Sequence, residues 1–227
     1  MGALTPAGPA AHSRDVPMAE PAVRRVAVVL FDGFTVLDVY GPVQAFASAR
    51  LPRPDGSPHR LFEIVTVAEK AGPIKSGEGP ITHADYAFAD APPYDILLVP
   101  GGFGTRQAIN NAPLLLALTA ASRKAAITTT VCTGSALLAR TGLMDNRPAT
   151  SNKIAWDWVV QQGPRVKWQR RARWVDDGDL VTSSGVSAGI DMALSVVARL
   201  HGADMARQAA RFMEYVWHED AGDDSFA

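Results

Sequence analysis

The sequence predicts an α/β protein with a doubly wound, mostly parallel sheet and helices on both faces. Two observations carry this prediction. Short apolar runs of the kind buried on both sides of a parallel sheet alternate with stretches of helical spacing. The 227 residues, 47% hydrophobic and 20% charged, suffice for one domain with a real core.

Taken in order, residues 1–22 are rich in Ala and Pro without a continuous apolar core, so they read as a disordered tail and not as a secretory signal. A single domain over 23–220 follows. Two charges lead into Val26-Ala27-Val28-Val29-Leu30-Phe31, which reads as a central strand. Asp32-Gly33 turns the chain, and Leu37 to Ala49 has helical spacing, with Pro42 in a first turn. The Pro- and Gly-rich segment Arg50 to Arg60 reads as loop. Strands are predicted at Phe62–Val67 and Asp95–Val99, a helix at Pro113–Arg123, a strand at Ala126–Val131 and a helix from Thr133 to about Arg140. Beyond these, Asn152–Gln162 reads as a helix, Val166–Trp168 and Ala172–Val175 as short strands, and Leu180–Ser183 as another. A helix from Ser187 to His201 is broken by Gly202, and an amphipathic helix runs on to about Trp217.

Composition narrows the function. Lys and Arg number 22 against 23 Asp and Glu, a net charge of −1, so nothing favours nucleic acid or an anionic membrane as partner. A small-molecule substrate is the better expectation. The lone cysteine, Cys132, excludes an internal disulfide and any multi-thiolate metal site, and the histidines show no metal spacing. No apolar stretch reaches the roughly 18 residues of a membrane span. A cytoplasmic protein without metal or cofactor is expected.

In open parallel sheets ligands gather at the carboxyl ends of strands, and four junctions there stand out. Cys132 ends an apolar strand and opens a helix, in Val131-Cys132-Thr133-Gly134. A tight turn would aim its sulfur at the cleft, the helix start would lower its pKa, and the Thr133 N–H would face developing negative charge. Pro100-Gly101-Gly102-Phe103-Gly104 offers backbone N–H groups as an anion cradle but lacks the last Gly of a dinucleotide fingerprint. Asp38, an acid between apolar residues, either caps the next helix or passes protons beside Cys132. Gly185-Val186-Ser187-Ala188-Gly189 matches a serine nucleophile elbow, but only His201 and His218 follow it, and Ser187 as a helix cap explains the spacing with less.

Together, Phe34 to Pro42, Asp95 to Gly104, Val131-Cys132-Thr133-Gly134 and Ser184 to Asp191 resemble the ThiJ/PfpI superfamily of class I glutamine amidotransferase-like proteins. Within it they look most like the isocyanide hydratase branch and the amidase-like domain that precedes AraC-type DNA-binding regions. The resemblance covers about residues 24–218. It implies a flavodoxin-like sandwich, a homodimer, a nucleophilic Cys132 with Asp38 as acidic partner, and an oxyanion pocket from the N–H groups of Gly102 and Thr133. It also implies a pocket wall at Ser184, Gly185 and Val186, with Phe103 nearby. Peptidase- and deglycase-like members carry a histidine where this sequence has Asn152 and Lys153, so those two residues are expected to shape a different pocket. No helix-turn-helix follows the last helix, so direct transcriptional control is not expected. The implied activity is a cofactor-free cysteine hydratase or hydrolase giving an N-substituted formamide. Alternatives are a redox sensor acting through Cys132 and glyoxalase-like dicarbonyl chemistry.

Overall fold

The computed structural model describes residues 20–227. The tail expected at 1–22 therefore lies outside the described residues as far as position 19. Beyond it, Glu20 is docked, its carboxylate bonding Arg53 at 2.6 Å and His59 at 2.9 Å.

In chain order the elements are β1 (Arg24–Val29), α1 (Val36–Ser48), β2 (Arg50–Pro52), β3 (Pro58–Arg60), β4 (Phe62–Ala68), β5 (Gly72–Lys75), β6 (Ile81–Ala84), β7 (Tyr86–Ala87) and β8 (Ile96–Val99). Then come α2 (Thr105–Ala108), α3 (Ala112–Lys124), β9 (Ile127–Val131), α4 (Gly134–Arg140), β10 (Pro148–Ala149) and α5 (Trp156–Gln162). The remainder is β11 (Lys167–Trp168), β12 (Trp174–Asp176), β13 (Leu180–Ser183), α6 (Ala188–His201) and α7 (Ala203–Phe212).

Seven strands form one sheet in the order β12-β13-β9-β8-β1-β4-β7, parallel throughout except where β12 runs against β13. This is the doubly wound, flavodoxin-like arrangement, since the chain starts in the middle at β1, steps outward to β4, then crosses back to β8 and beyond. Strands β1, β8 and β9 are buried along nearly their whole length because α1, α6 and α7 cover one face and α3, α4 and α5 the other, and β9 buries three threonines there. The reversal between β4 and β8 brings the carboxyl ends of β1, β8 and β9 together, and the junctions after them build the site.

Several local expectations are corrected. Arg50 to Arg60 is not plain loop, since β2 and β3 pair as a short antiparallel hairpin around Asp55-Gly56. A second hairpin, β5–β6, and the edge strand β7 carried too little apolar periodicity to be legible. Pro42 sits inside α1, not in its first turn, and its missing N–H leaves the Asp38 carbonyl without its usual helical donor. The helix expected from Asn152 starts at Trp156, because Asn152 and Lys153 are drawn into side-chain bonds of their own. The last helix stops at Phe212, and residues beyond it fold back so that Asp224 is buried against Lys153 and Arg173.

Candidate active site

Cys132 follows β9 directly and adopts φ +57°, a left-handed conformation that costs a non-glycine residue and turns its side chain sharply out of the strand. Neighbours hold it there. Its N–H donates to the carbonyls of Ser183 and Ser184, at 3.3 and 3.2 Å. Its carbonyl accepts from the hydroxyls of Ser135 and Ser151 at 3.0 and 2.9 Å. The side chain is only 5% exposed.

Asp38 is completely buried, on the first turn of α1. It is not a cap, because α1 has Thr35 at its cap position and Asp38 sends its carboxylate elsewhere. Oδ2 accepts the Gly101 N–H at 2.9 Å, Oδ1 has no hydrogen-bond partner among the described residues, and the carboxyl lies beside the Cys132 thiol. Burial pushes this carboxyl up to about 7. The Gly101 N–H and the Cys132 thiol oppose the rise, and the charge of Glu78 adds to it. Glu78 comes from the unforeseen β5–β6 hairpin, and its carboxylate also accepts the Val36 N–H at 2.9 Å.

The helix start was expected to lower the thiol pKa, and the balance goes the other way. Burial pushes the Cys132 thiol far up, and the Asp38 charge adds to this. The Thr133 N–H, the Asn152 amide and the Thr133 hydroxyl pull it back down. A thiol and a carboxyl in contact, both short of water, cannot both ionise, so they titrate as one unit that retains a proton at neutral pH.

The glycine loop is a cradle, but the acid it holds is Asp38. Gly101 donates to Asp38, Gly102 donates to Thr133 Oγ1 at 3.0 Å, and Gly104 donates to the Gly33 carbonyl. The expected oxyanion role of the Gly102 N–H is thereby corrected, since that donor is already engaged. Thr133 keeps its N–H directed at the sulfur. Gly101 must be glycine here, since a Cβ would lie 2.5 Å from the Thr133 nitrogen and 2.9 Å from Asp38 Oδ2.

Asn152 lies beside the sulfur. Its Oδ1 accepts the Ala155 N–H at 2.8 Å, which turns the amide nitrogen toward Cys132 and over Gly185. Lys153 points away, contrary to the pocket role expected for it. Its Nζ bonds Thr150 Oγ1 at 2.8 Å, the Ser151 carbonyl at 3.1 Å and the Ala172 carbonyl at 2.8 Å, with Asp224 at 3.4 Å. Ser184 and Gly185 form a wall behind the sulfur and do not line the open pocket, whereas Val186 and Phe103 do. Ser187 stands at the cap position of α6 without a side-chain cap bond, so the cap reading fails in its detail. His201 packs on Phe62 and His218 bonds the Asp223 carbonyl, so neither is tied to Ser187.

The pocket over Cys132 has a volume of about 240 Å³. Thr35, Arg106, Ile154 and Ala155 also line it; Ile154 and Ala155 belong to the stretch after Asn152 already expected to shape the pocket, while Thr35 and Arg106 carried no local signal because they come from separate junctions, after β1 and in α2. A larger cleft of about 460 Å³, beside Asp32, Glu69, Lys70 and Asn111, is lined by no cysteine, serine or threonine, and Asn111 there already donates to Glu69. Among the described residues, no group of His, Cys, Asp and Glu is arranged to hold a metal ion, and no helix is long and apolar enough to cross a membrane.

A doubly wound α/β domain with a single cysteine on a strained strand-to-helix elbow, and a buried carboxyl against its sulfur, defines the class. The chain belongs to the DJ-1/PfpI family, whose pattern matches residues 24–199. It is 30% identical over 191 residues to isonitrile hydratase from Pseudomonas putida, covering 84% of this chain and 78% of that protein. It is 28% identical over 182 residues to the HTH-type transcriptional regulator CdhR of Pseudomonas aeruginosa, covering 80% of this chain and 52% of the regulator. The chain thus spans about half the length of that relative. A ThiJ/PfpI family protein from Pseudomonas syringae superposes with a TM-score of 0.75 at 29% identity, covering 91% of this chain and 82% of that one.

Proposed function

We propose that this protein is a cofactor-free, cysteine-dependent hydratase of small electrophiles, and that isocyanides, hydrated to N-substituted formamides, are its substrate type. One observation carries the reading: the buried Asp38 carboxyl is anchored by the Gly101 N–H and lies beside the Cys132 thiol. An anchored carboxyl with a pKa near neutrality is placed to take the thiol proton and pass it on. Sulfur bonds the terminal carbon of the isocyanide as Asp38 delivers the proton to that same carbon, giving a thioimidate. The Thr133 N–H and the Asn152 amide accompany the sulfur through its anionic state. Water then adds to the thioimidate carbon, the C–S bond breaks, the proton returns to the Cys132–Asp38 pair, and the formamide leaves. Similarity to isonitrile hydratase supports the same chemistry.

A sensor role needs an exposed thiolate of low pKa, and a thiol 5% exposed and pushed upward does not favour it. The reading includes a homodimer, for which sedimentation is the check. Its main test is formamide production from phenyl isocyanide by the wild-type protein and by Cys132→Ala. Turnover by the first alone is the expected result. Equal or absent turnover in both overturns the reading, and turnover of methylglyoxal in place of isocyanide replaces it with dicarbonyl chemistry.

A further inference from the structure

Among the described residues, Arg106 is the only charged side chain lining the Cys132 pocket, since Lys153 is turned away into its own buried network. Its guanidinium lies 4.2 Å from the Trp158 ring centre and 5.5 Å from that of Phe103. Nη1 donates to Thr105 Oγ1 at 3.2 Å and reaches the Gly102 carbonyl at 3.5 Å. Nε and Nη2 have no acceptor among the described residues, and no carboxylate pairs with the group. Arg25, Arg147, Arg173 and Arg199 each pair with an acid, whereas Arg50 and Arg170, like Arg106, lie over aromatic rings without one among the described residues, but neither of those two lines the Cys132 pocket.

An arginine stacked on an indole has already lost most of its rotamer freedom, and its unused donors stay in a fixed plane. Such a fork matches the two oxygens of a carboxylate. Around it the pocket is apolar, with Ile154, Ala155, Val186 and Phe103 at its walls and mouth. Cys132 lies at its floor, only 5% exposed, while Ile154 is 99% and Phe103 83% exposed at the rim. A molecule filling this space presents an electrophilic carbon to the sulfur, a short apolar body to the walls and an anion to Arg106.

We propose that Arg106 is the anion-binding residue of this pocket and that the substrate is a small electrophile bearing a carboxylate. The inference rests on the reading of Cys132 as the reacting nucleophile, but not on isocyanide as the reacting group. The test compares two alkylating agents that differ in charge and share a leaving group, iodoacetate and iodoacetamide. Because Cys132 is the only cysteine, intact-protein mass follows both reactions at one site. The ratio of iodoacetate to iodoacetamide rate is expected to fall about tenfold in Arg106→Met, the scale of one charged hydrogen-bonded contact, and to recover in part in Arg106→Lys. A ratio within twofold of wild type in Arg106→Met overturns the proposal, whether the two rates hold or fall together. A failure of isocyanide turnover leaves this measurement standing, so the two readings fail separately. If isocyanides are turned over, Arg106→Met raises KM for isocyanoacetate and not for its ethyl ester. An equal rise for both refutes the anion contact.

Discussion

Asp38→Asn should make the protein more stable at neutral pH while lowering the turnover proposed for it. The wild-type carboxyl, fully buried, ionises near 7 in the folded state, against an ordinary value of 3.8. Between those values the unfolded chain has released the proton and the folded protein has kept it, so stability falls as pH rises, by about 1.4 kcal/mol per unit. Over the roughly three units between them the loss approaches 4 kcal/mol, and it is complete above about pH 7.5. Asparagine retains an oxygen for the Gly101 N–H and places an amide against the sulfur without any charge to desolvate. Urea unfolding of both proteins from pH 4.5 to 8.5 measures the effect. The stability of Asp38→Asn relative to wild type should climb across this window by a few kcal/mol and then level off. Turnover, if isocyanides are substrates, should drop by about 10²–10⁴-fold, the usual scale for a lost acid–base group. Parallel stability curves for the two proteins would refute the burial argument and with it the shared-proton pair.

Asn152→Ala removes a donor to the thiolate, so the rate of iodoacetamide alkylation of Cys132 at a fixed pH of about 8 should fall by about tenfold, followed by intact-protein mass. Asp224→Ala leaves the buried Lys153 ammonium and the Arg173 guanidinium without that counter-charge, and chemical denaturation should show a loss of about 3–5 kcal/mol. Ser187→Ala should change stability by no more than about 0.5 kcal/mol and leave turnover intact, since its hydroxyl makes no cap bond. A larger stability loss would restore the cap, and an inactive, stable Ser187→Ala would restore the serine elbow.

The central strands β1 and β8 were legible because a strand buried on both faces needs an apolar run, and each supplies one, whereas β9 reads Ile-Thr-Thr-Thr-Val and was legible from its β-branched residues. The hairpins were not, because β2–β3 and β5–β6 are short and lie partly in solvent, where pairing imposes little pattern. Cys132 could be singled out by its place between strand and helix. Asp38 could be singled out as an acid in an apolar context, but whether it capped a helix or faced the sulfur stayed open, because both roles use the same residue at the same spacing.

By itself the sequence determined the α/β class, the lone cysteine at a strand end and the near-neutral charge, since each depends on residues adjacent or periodic in the chain. Tertiary structure decided the site. Asp38, Gly101 and Cys132 come from three separate strand-to-helix junctions, and only the strand order brings them into contact. The same folding engages the Gly102 N–H with Thr133, buries Lys153 against Asp224 and turns Asn152 toward the sulfur. Hydrogen bonds and desolvation depend on neighbours distant in sequence, so no local pattern encodes which donor is left free or which acid keeps its proton.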